Sequence, residues 1–398
     1  MDTRAFIIGA AVALLLPASA RAIPFASMYL FGDSLVDTGN LYAATGGVVP
    51  PSPPYYQRRS SNGPLAVEML ADRRLAGGAG GPDFHDYAYA GATTGVGNVW
   101  DGGTPTTAGT GVLTAPFTGI PVPGGQPLPG MATEVADYAA SVGPGGGDPH
   151  GLYIVWGGPD DFISGGSANV SLAVNDIAGE VSTLAAMGAP YILVPNMVDL
   201  SLTPRVSAAN DPAVTAAYHS LSQAYDAALA AAIAGIDRQF ATHVMLFDVA
   251  SLFNDVIADP SSFGLSNVTE GYLTCAQLNG PQACGSPDEY LYWDDLHPTS
   301  ATSRILATHL ARSLPEPGEF VLMLLGWIVM LAAGRGFPTR RRLALCCPKL
   351  FATTFRPWTE RARTTCQQAP IGLGNERTVV ALASVRRAIR TSLGAVDA

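Results

Sequence analysis

The chain has 398 residues, of which 48% are hydrophobic and 8% aromatic, which is enough apolar material for a well-packed core. Charge is unevenly spread: residues 23–313 carry 8 Arg and 26 acidic residues, a net of −18, whereas residues 335–398 carry 12 basic and 3 acidic residues, a net of +9. The acidic body argues against nucleic acid or an anionic surface as a partner and favours neutral or cationic substrates.

The first 22 residues have the pattern of a secretory signal peptide. Arg4 precedes an apolar run over Ala5–Leu16, and the small residues Ala20 and Ala22 suit cleavage. The alternative, an uncleaved anchor helix, is disfavoured because the run is short for a bilayer span. We therefore expect the remaining chain to be exported to the extracellular space or the cell surface.

Short apolar runs alternate with helical patterns along residues 23–313. Strands are predicted at Tyr29–Phe31, Leu152–Trp156, Tyr191–Val194 and His243–Asp248, and helices at Leu65–Leu75, Met131–Val142, Leu172–Met187, Val214–Ile236 and Thr299–Leu314. This alternation favours an α/β fold with a mostly parallel sheet between two layers of helices. In such sheets, ligands bind beyond the carboxyl ends of the strands. The segment 43–130, rich in Gly, Pro, Thr and Ser, is expected to build a substrate surface there.

Three residue types that a serine hydrolase needs occur in the order Ser, Asp, His. Ser34 follows the first predicted strand, where a serine projects its hydroxyl away from the sheet and leaves backbone N–H groups free. His297 suits the general base and Asp294 the carboxylate that orients its ring, with the adjacent Asp295 the weaker candidate. The alternatives are an N-cap role for Ser34 and an ordinary polar role for His297 before a helix that begins after proline.

Cys275 and Cys284 lie close together in a loop-like stretch. In an oxidising compartment, a short-loop disulfide between them is favoured over two free thiols. A zinc site would need further Cys or His at ligand spacing, and the sequence places none nearby.

These motifs resemble those of the GDSL esterases and lipases in the SGNH hydrolase superfamily, over residues 23–313. Gly32-Asp33-Ser34-Leu35 matches the first family block, Gly91 within Asp86–Thr93 matches the second, and Asp294 to His297 matches the last. The resemblance implies the SGNH fold, a three-layer α/β/α sandwich with a flavodoxin-like sheet. It also implies ester hydrolysis without metal or organic cofactor, by a Ser34 nucleophile and an oxyanion hole that includes the N–H groups of Ser34 and Gly91.

The third family block departs from its pattern. The family has Gly-x-Asn-Asp, and this chain has Gly158-Pro159-Asp160-Asp161. The resemblance places Asp160 in the oxyanion hole, where the family's asparagine donates a side-chain N–H. Losing one such donor typically costs roughly 10²–10³ in rate, and an ionised carboxylate would also oppose the developing charge. Asp160 is either protonated, with its pKa raised by burial and by Asp161, or turned away from the oxyanion.

Residues 314–342 resemble a PEP-CTERM sorting segment. Pro315-Glu316-Pro317 precedes an apolar run, Phe320–Ala333, and arginines follow, with a basic tail at 343–398 to which the sequence assigns no role. The basic flank predicts a membrane orientation with the body outside and the tail inside, whereas the alternative is a buried core helix. The resemblance implies a Gram-negative export pathway, membrane attachment through this segment and processing by an exosortase-type protease.

The residues favour an exported serine esterase that cleaves carboxylic esters through an acyl-Ser34 intermediate, with a small-molecule, lipid or acylated-glycan substrate. Short acyl chains are favoured because segment 43–130 contains no long apolar stretch. Asp160 supports an alternative, a catalytically impaired relative that binds glycan or lipid at the cell surface. A secreted structural protein is a third alternative, which would not explain the presence of Ser34, Asp294 and His297 together.

Overall fold

A computed structural model describes residues 25–164 and 167–315. The predicted signal peptide, nearly all of the PEP-CTERM-like segment and the basic tail lie outside these residues. Within the two described stretches, no helix has both the length and the apolar composition needed to cross a membrane.

Five parallel strands form the central sheet. They are Ser27–Gly32 (β1), Phe84–Asp86 (β2), Gly151–Trp156 (β3), Tyr191–Pro195 (β4) and His243–Phe247 (β5), in the spatial order β2-β1-β3-β4-β5. β1 and β3 pair along their whole length, from Ser27 with Gly151 to Gly32 with Trp156, so they end at the same edge. This is the flavodoxin-like strand order, and it confirms the predicted mostly parallel sheet.

Helices connect the strands and cover both faces of the sheet. Those of the described residues are Asn40–Ala44 (α1), Ala66–Arg74 (α2), Met131–Val142 (α3), Pro159–Ile163 (α4), Val170–Ala186 (α5), Pro204–Ser207 (α6), Pro212–Ile233 (α7), Ile236–Gln239 (α8), Val249–Ala258 (α9), Tyr272–Asn279 (α10) and Ser300–Ser313 (α11). The five predicted helices correspond to α2, α3, α5, α7 and α11, with ends that differ by a few residues.

Side chains of the central strands alternate between two cores. Leu30 and Ile154 are buried in a core that α2, α9 and α11 cover, whereas Phe31 and Val155 are buried in a second core that α3, α5 and α7 cover. Because both faces are buried, the strands are continuous apolar runs, as a parallel sheet between helices requires. The three-layer α/β/α sandwich is thereby confirmed.

Two strands after the central sheet were not predicted. Asn267–Gly271 (β6) and Tyr290–Tyr292 (β7) pair in parallel as a separate small sheet. The chain between them carries a disulfide that joins Cys275 to Cys284, the pair that the sequence favoured. β7 leads directly into the segment with Asp294 and His297, so this small sheet holds the second half of the candidate site.

The Gly- and Pro-rich segment 43–130 and the nearby Leu41 build a small separate core. Leu41, Val49, Leu113, Val122 and Leu128 pack together, and each is at most 4% exposed. The segment is therefore ordered by its own apolar contacts although it contains little regular secondary structure. Leu41 and Val49 also line the cavity at the candidate site, so this cluster positions one wall of that cavity.

Candidate active site

Ser34 lies in the turn that follows β1, and Gly32 makes this turn possible. Gly32 has φ +152°, and a Cβ on it would lie 2.0 Å from the Trp156 carbonyl oxygen, so a larger residue does not fit. The Gly32 N–H donates to Glu134 Oε2 at 2.8 Å. These constraints fix the backbone before Ser34. Ser34 itself is buried, with 8% of its surface exposed.

Ser34, His297 and Asp294 form one hydrogen-bonded chain. His297 Nε2 lies 2.8 Å from Ser34 Oγ, and His297 Nδ1 lies 2.7 Å from Asp294 Oδ2. Asp294 Oδ1 accepts from the N–H groups of Leu296 at 2.8 Å and of His297 at 2.7 Å. Because an ionised carboxylate only accepts, the Nδ1 hydrogen points to Asp294 and the Nε2 lone pair accepts from the Ser34 hydroxyl. This is the geometry of a Ser-His-Asp triad.

The electrostatics of the pair suit a base and its orienting carboxylate. Burial alone would raise the pKa of Asp294, but the charge of His297 and the hydrogen bonds from its ring and from backbone N–H groups lower it to about 2. Burial alone would lower the pKa of His297, but the charge and hydrogen bond of Asp294 raise it above its ordinary value. Asp294 is therefore ionised at neutral pH and strengthens His297 as a proton acceptor.

Two polar side chains beside the triad were not found from the sequence. The Tyr55 hydroxyl donates to Asp294 Oδ2 at 2.8 Å, and the two residues are 239 positions apart, so no short motif could connect them. Arg205 donates from Nε at 2.9 Å and from Nη2 at 2.8 Å to the two carboxylate oxygens of Asp295. Asp295 thus pairs with Arg205, while Asp294 is the carboxylate that contacts His297.

Two residues that line the cavity have free backbone N–H groups. Among the described residues, neither the N–H of Ser34 nor that of Gly91 has a hydrogen-bond partner. Gly91 has φ +82°, and a Cβ there would lie 2.4 Å from Trp100 Cδ1, so the position requires glycine. Ser34 and Gly91 line the same cavity, where their N–H groups are available to an oxyanion.

A single carboxylate connects the turns that carry these two N–H groups. Asp37 Oδ1 accepts at 2.6 Å from the N–H groups two and three residues further along, and its Oδ2 accepts from the Ala90 N–H at 2.8 Å. Because Ala90 directly precedes Gly91, the Asp37 side chain fixes the position of Gly91 relative to the Ser34 turn. Nothing in the sequence pattern indicated this link.

Asp160 lies in α4 and lines the same cavity as Ser34, Gly91 and His297. Asp160 is buried, with 7% of its surface exposed. Burial raises the pKa of Asp160, and the positive charges of His297 and Arg205 oppose the rise. A raised pKa favours the neutral acid, which can donate its O–H to an oxyanion, whereas the ionised form would oppose negative charge in the cavity.

Asp161, the next residue, has a separate role in the fold. Its Oδ2 accepts from the Thr94 N–H and its Oδ1 accepts from the Thr94 hydroxyl, each at 2.8 Å. Burial is the main cause that raises the pKa of Asp161 to about 7. These bonds attach α4 to the segment that follows Gly91, and they bring the second and third family blocks together.

A cavity of about 290 Å³ opens at Ser34, at the low end of the range for ligand pockets. Its polar lining includes Ser34, Tyr55, Asp160, Arg205 and His297, and its apolar lining includes Leu41, Val49, Val99, Trp100, Pro116 and Phe117. Within residues 25–164 and 167–315, no group of three or more His, Cys, Asp or Glu side chains is arranged to hold a metal ion. The arrangement suits a nucleophilic attack on a small, largely apolar acyl group.

Comparisons with known proteins point to one family. Residues 28–310 match the family model described as GDSL-like lipase/acylhydrolase. Phosphatidylcholine-sterol acyltransferase of Aeromonas hydrophila is 27% identical over 359 residues, which cover 78% of this chain and 96% of that protein. Esterase EstA of Pseudomonas aeruginosa is 28% identical over 190 residues, covering 45% of this chain and only 28% of EstA. A solved structure from Parabacteroides merdae, described as a GDSL-like lipase, is 9% identical with a TM-score of 0.34, and the match covers 74% of this chain and 97% of that one.

Replacing Asp294 by Asn tests the origin of the raised His297 pKa. Asn carries no charge, so burial should dominate and the pKa of His297 should fall below its ordinary value of about 6.5. NMR titration of the imidazole C–H signals measures this pKa, with His297→Gln used to assign the signal. Tyr55→Phe is the matched control, because it removes a hydrogen bond to Asp294 and keeps the carboxylate. If the pKa of His297 in the Asp294→Asn variant equals the wild-type value, Asp294 is not the cause of the raised pKa.

Proposed function

Since the chain belongs to the GDSL-like lipase/acylhydrolase family, we propose that it is a serine esterase that cleaves carboxylic esters through an acyl-Ser34 intermediate. The observation that carries the proposal is the hydrogen-bonded chain from Ser34 through His297 to Asp294. These three side chains supply a nucleophile, a base and an orienting carboxylate, and they adjoin a cavity with free N–H groups. No helix cap or structural polar role would require all of these features together.

In the first half of the reaction, Ser34 Oγ attacks the ester carbonyl carbon and His297 Nε2 takes the hydroxyl proton. Asp294 stabilises the imidazolium that forms. Negative charge develops on the carbonyl oxygen, where the N–H groups of Ser34 and Gly91 donate. His297 then gives the proton to the leaving alcohol oxygen as the carbon–oxygen bond breaks, and the acyl group stays on Ser34.

In the second half, water attacks the acyl carbon and His297 accepts a proton from it. The bond between the acyl carbon and Ser34 Oγ breaks, and the proton passes from His297 to the serine oxygen. A carboxylic acid leaves and the enzyme is restored. The residues of this chain supply every proton transfer in the cycle, so the proposal requires no metal or organic cofactor.

The substrate class follows from the cavity. Its walls are mainly aliphatic, proline and aromatic side chains, which suit an acyl chain, and its volume of about 290 Å³ favours a short one. We propose short-chain esters of small molecules, lipids or acylated glycans. Asp160 and Arg205 belong to the polar lining, where the carbonyl and the alcohol part of the ester would be bound.

Acyl transfer to an alcohol is a second candidate reaction. It is favoured by the similarity to the Aeromonas hydrophila protein, whose name describes acyl transfer to a sterol and which is similar over 78% of this chain. The same acyl-Ser34 intermediate would react with an alcohol in place of water. Adding an alcohol acceptor to a hydrolysis assay distinguishes the two, because transfer yields a new ester and hydrolysis yields the acid.

We also propose that the chain is exported. The signal-peptide pattern of residues 1–22 supports this, and so does the disulfide between Cys275 and Cys284, because such bonds persist in oxidising compartments. The PEP-CTERM-like segment at 314–342 would attach the chain to a membrane, with the catalytic body outside, until an exosortase-type protease processes it.

The full chain should hydrolyse p-nitrophenyl esters, with activity greatest for short acyl groups because the cavity is small. Ser34→Ala removes the nucleophile and should lower kcat/KM by roughly 10⁴-fold or more. Initial rates for acyl groups of increasing length, with wild type and variant in parallel, measure both effects. Turnover that survives in the variant would contradict the mechanism. A folded wild type without turnover would instead favour the glycan- or lipid-binding relative.

Asp160→Asn should raise kcat/KM, and the gain should increase with pH as the wild-type carboxylate ionises. Asn restores an N–H donor at the position and removes a negative charge, and one such donor is typically worth roughly 10²–10³ in rate. The acid limb of the pH profile should also move to lower pH, because the Asp160 charge contributes to the raised pKa of His297. Asp160→Ala is the control, since it removes the charge without adding a donor. An Asn variant that is no faster than wild type at any pH would contradict the prediction.

A further inference from the structure

Among the described residues, the Asp294 carboxylate has four hydrogen-bond donors, and only one of them lies outside its own turn. Oδ1 accepts from the N–H groups of Leu296 and His297, and Oδ2 accepts from His297 Nδ1. The fourth donor is the Tyr55 hydroxyl, at 2.8 Å from Oδ2. The two oxygens of a carboxylate can accept about four hydrogen bonds. Tyr55 therefore completes the set of partners of this buried side chain.

The segment that carries Tyr55 is attached to the second half of the site at two further points. Ser61 Oγ donates to the Pro298 carbonyl oxygen at 2.9 Å. The Ser300 N–H donates to Asn62 Oδ1 at 2.7 Å. These bonds hold the segment beside the triad without help from the tyrosine hydroxyl, so a phenylalanine at position 55 should leave the segment in place.

Tyr55 contacts both the triad and the cavity. It lines the cavity together with Ser34 and His297, whereas Asp294 is not part of the lining. Burial and the negative charge of Asp294 raise the pKa of Tyr55, so the phenol keeps its proton and remains a hydrogen-bond donor at the pH values of an esterase assay. Tyr55 thus links the lining of the cavity to the carboxylate that orients His297.

We propose that Tyr55 is a positioning residue for the reaction at Ser34, because its hydroxyl holds the Asp294 carboxylate in the orientation that aligns the His297 ring. The other three donors belong to the Asp294–His297 turn and move with it, whereas Tyr55 fixes the carboxylate relative to the cavity. The hydroxyl also shares Oδ2 with His297 Nδ1, so it takes up part of the charge that would otherwise stabilise the imidazolium. This inference rests on the proposed ester hydrolysis at Ser34, and it adds a fourth side chain to the three of the triad.

Tyr55→Phe in the full chain should lower kcat for p-nitrophenyl acetate by about tenfold, because the carboxylate loses its fixed orientation. KM should stay within about twofold, since the aromatic ring remains in the cavity lining. The acid limb of the kcat/KM profile should move to higher pH by roughly half a unit, because Asp294 keeps more of its charge for the imidazolium. The variant leaves the other charged groups around these side chains in place, namely Asp33, Asp160, Arg205 and Asp295.

Two comparisons separate positioning from a merely structural role. Tyr56→Phe is the matched control, since Tyr56 is the next residue, is 36% exposed and has no partner for its hydroxyl among the described residues, so it should behave as wild type. In an Asp294→Asn background, Tyr55→Phe should change kcat by no more than about twofold, because the group through which it acts is gone. An unchanged kcat and pH profile in Tyr55→Phe, an equal loss in Tyr56→Phe, or a tenfold loss that persists in the Asp294→Asn background would overturn the proposal.

A second readout needs no turnover and keeps this proposal separate from the catalytic one. NMR titration of the imidazole C–H signals should give a higher pKa of His297 in Tyr55→Phe than in wild type, and an unchanged pKa in Tyr56→Phe. If the protein hydrolyses no ester but shows this order, the esterase proposal fails and the action of Tyr55 on His297 through Asp294 stands. An equal pKa of His297 in all three proteins would overturn the positioning proposal.

Discussion

The hydrogen bond between Ser34 Oγ and His297 Nε2 joins residues 263 positions apart, and the whole candidate site depends on it. The bond forms because β1 ends at the edge of the parallel sheet to which the polypeptide returns after β7. The His297 carbonyl oxygen accepts from the Trp293 N–H at 2.7 Å, which closes the Asp294–His297 turn before α11 begins. α2 and α11 cover the same core, so the sandwich fixes both halves of the site on one rigid support.

Buried carboxylates do much of the positioning in this acidic protein. Glu134 accepts from the Gly32 N–H, Asp37 accepts from the Ala90 N–H, and Asp161 accepts from Thr94. Each bond fixes a turn beside Ser34 or Gly91, whose own N–H groups stay free for substrate. A carboxylate is a strong acceptor for backbone N–H groups, so these contacts hold the oxyanion-binding groups in place before any substrate arrives.

Much of the sheet and of the triad could be predicted from the sequence, because both leave local signals. Buried parallel strands are continuous apolar runs, and the blocks around Ser34 and His297 have fixed spacing. β2 was missed because its three residues contain no apolar run and are held by pairing with β1. Tyr55 and Arg205 were missed because their contacts arise only when distant segments meet.

The central claim is that Ser34 carries the acyl group during turnover, and trapping that intermediate tests it most directly. The full chain is mixed with a p-nitrophenyl ester, quenched in acid before the steady state, and examined by intact-mass and peptide mass spectrometry. The account predicts a mass increase equal to one acyl group, located on the peptide with Ser34 and absent from Ser34→Ala. Rapid turnover with no acylated protein at any quench time, or an acyl group on a different residue, would contradict it.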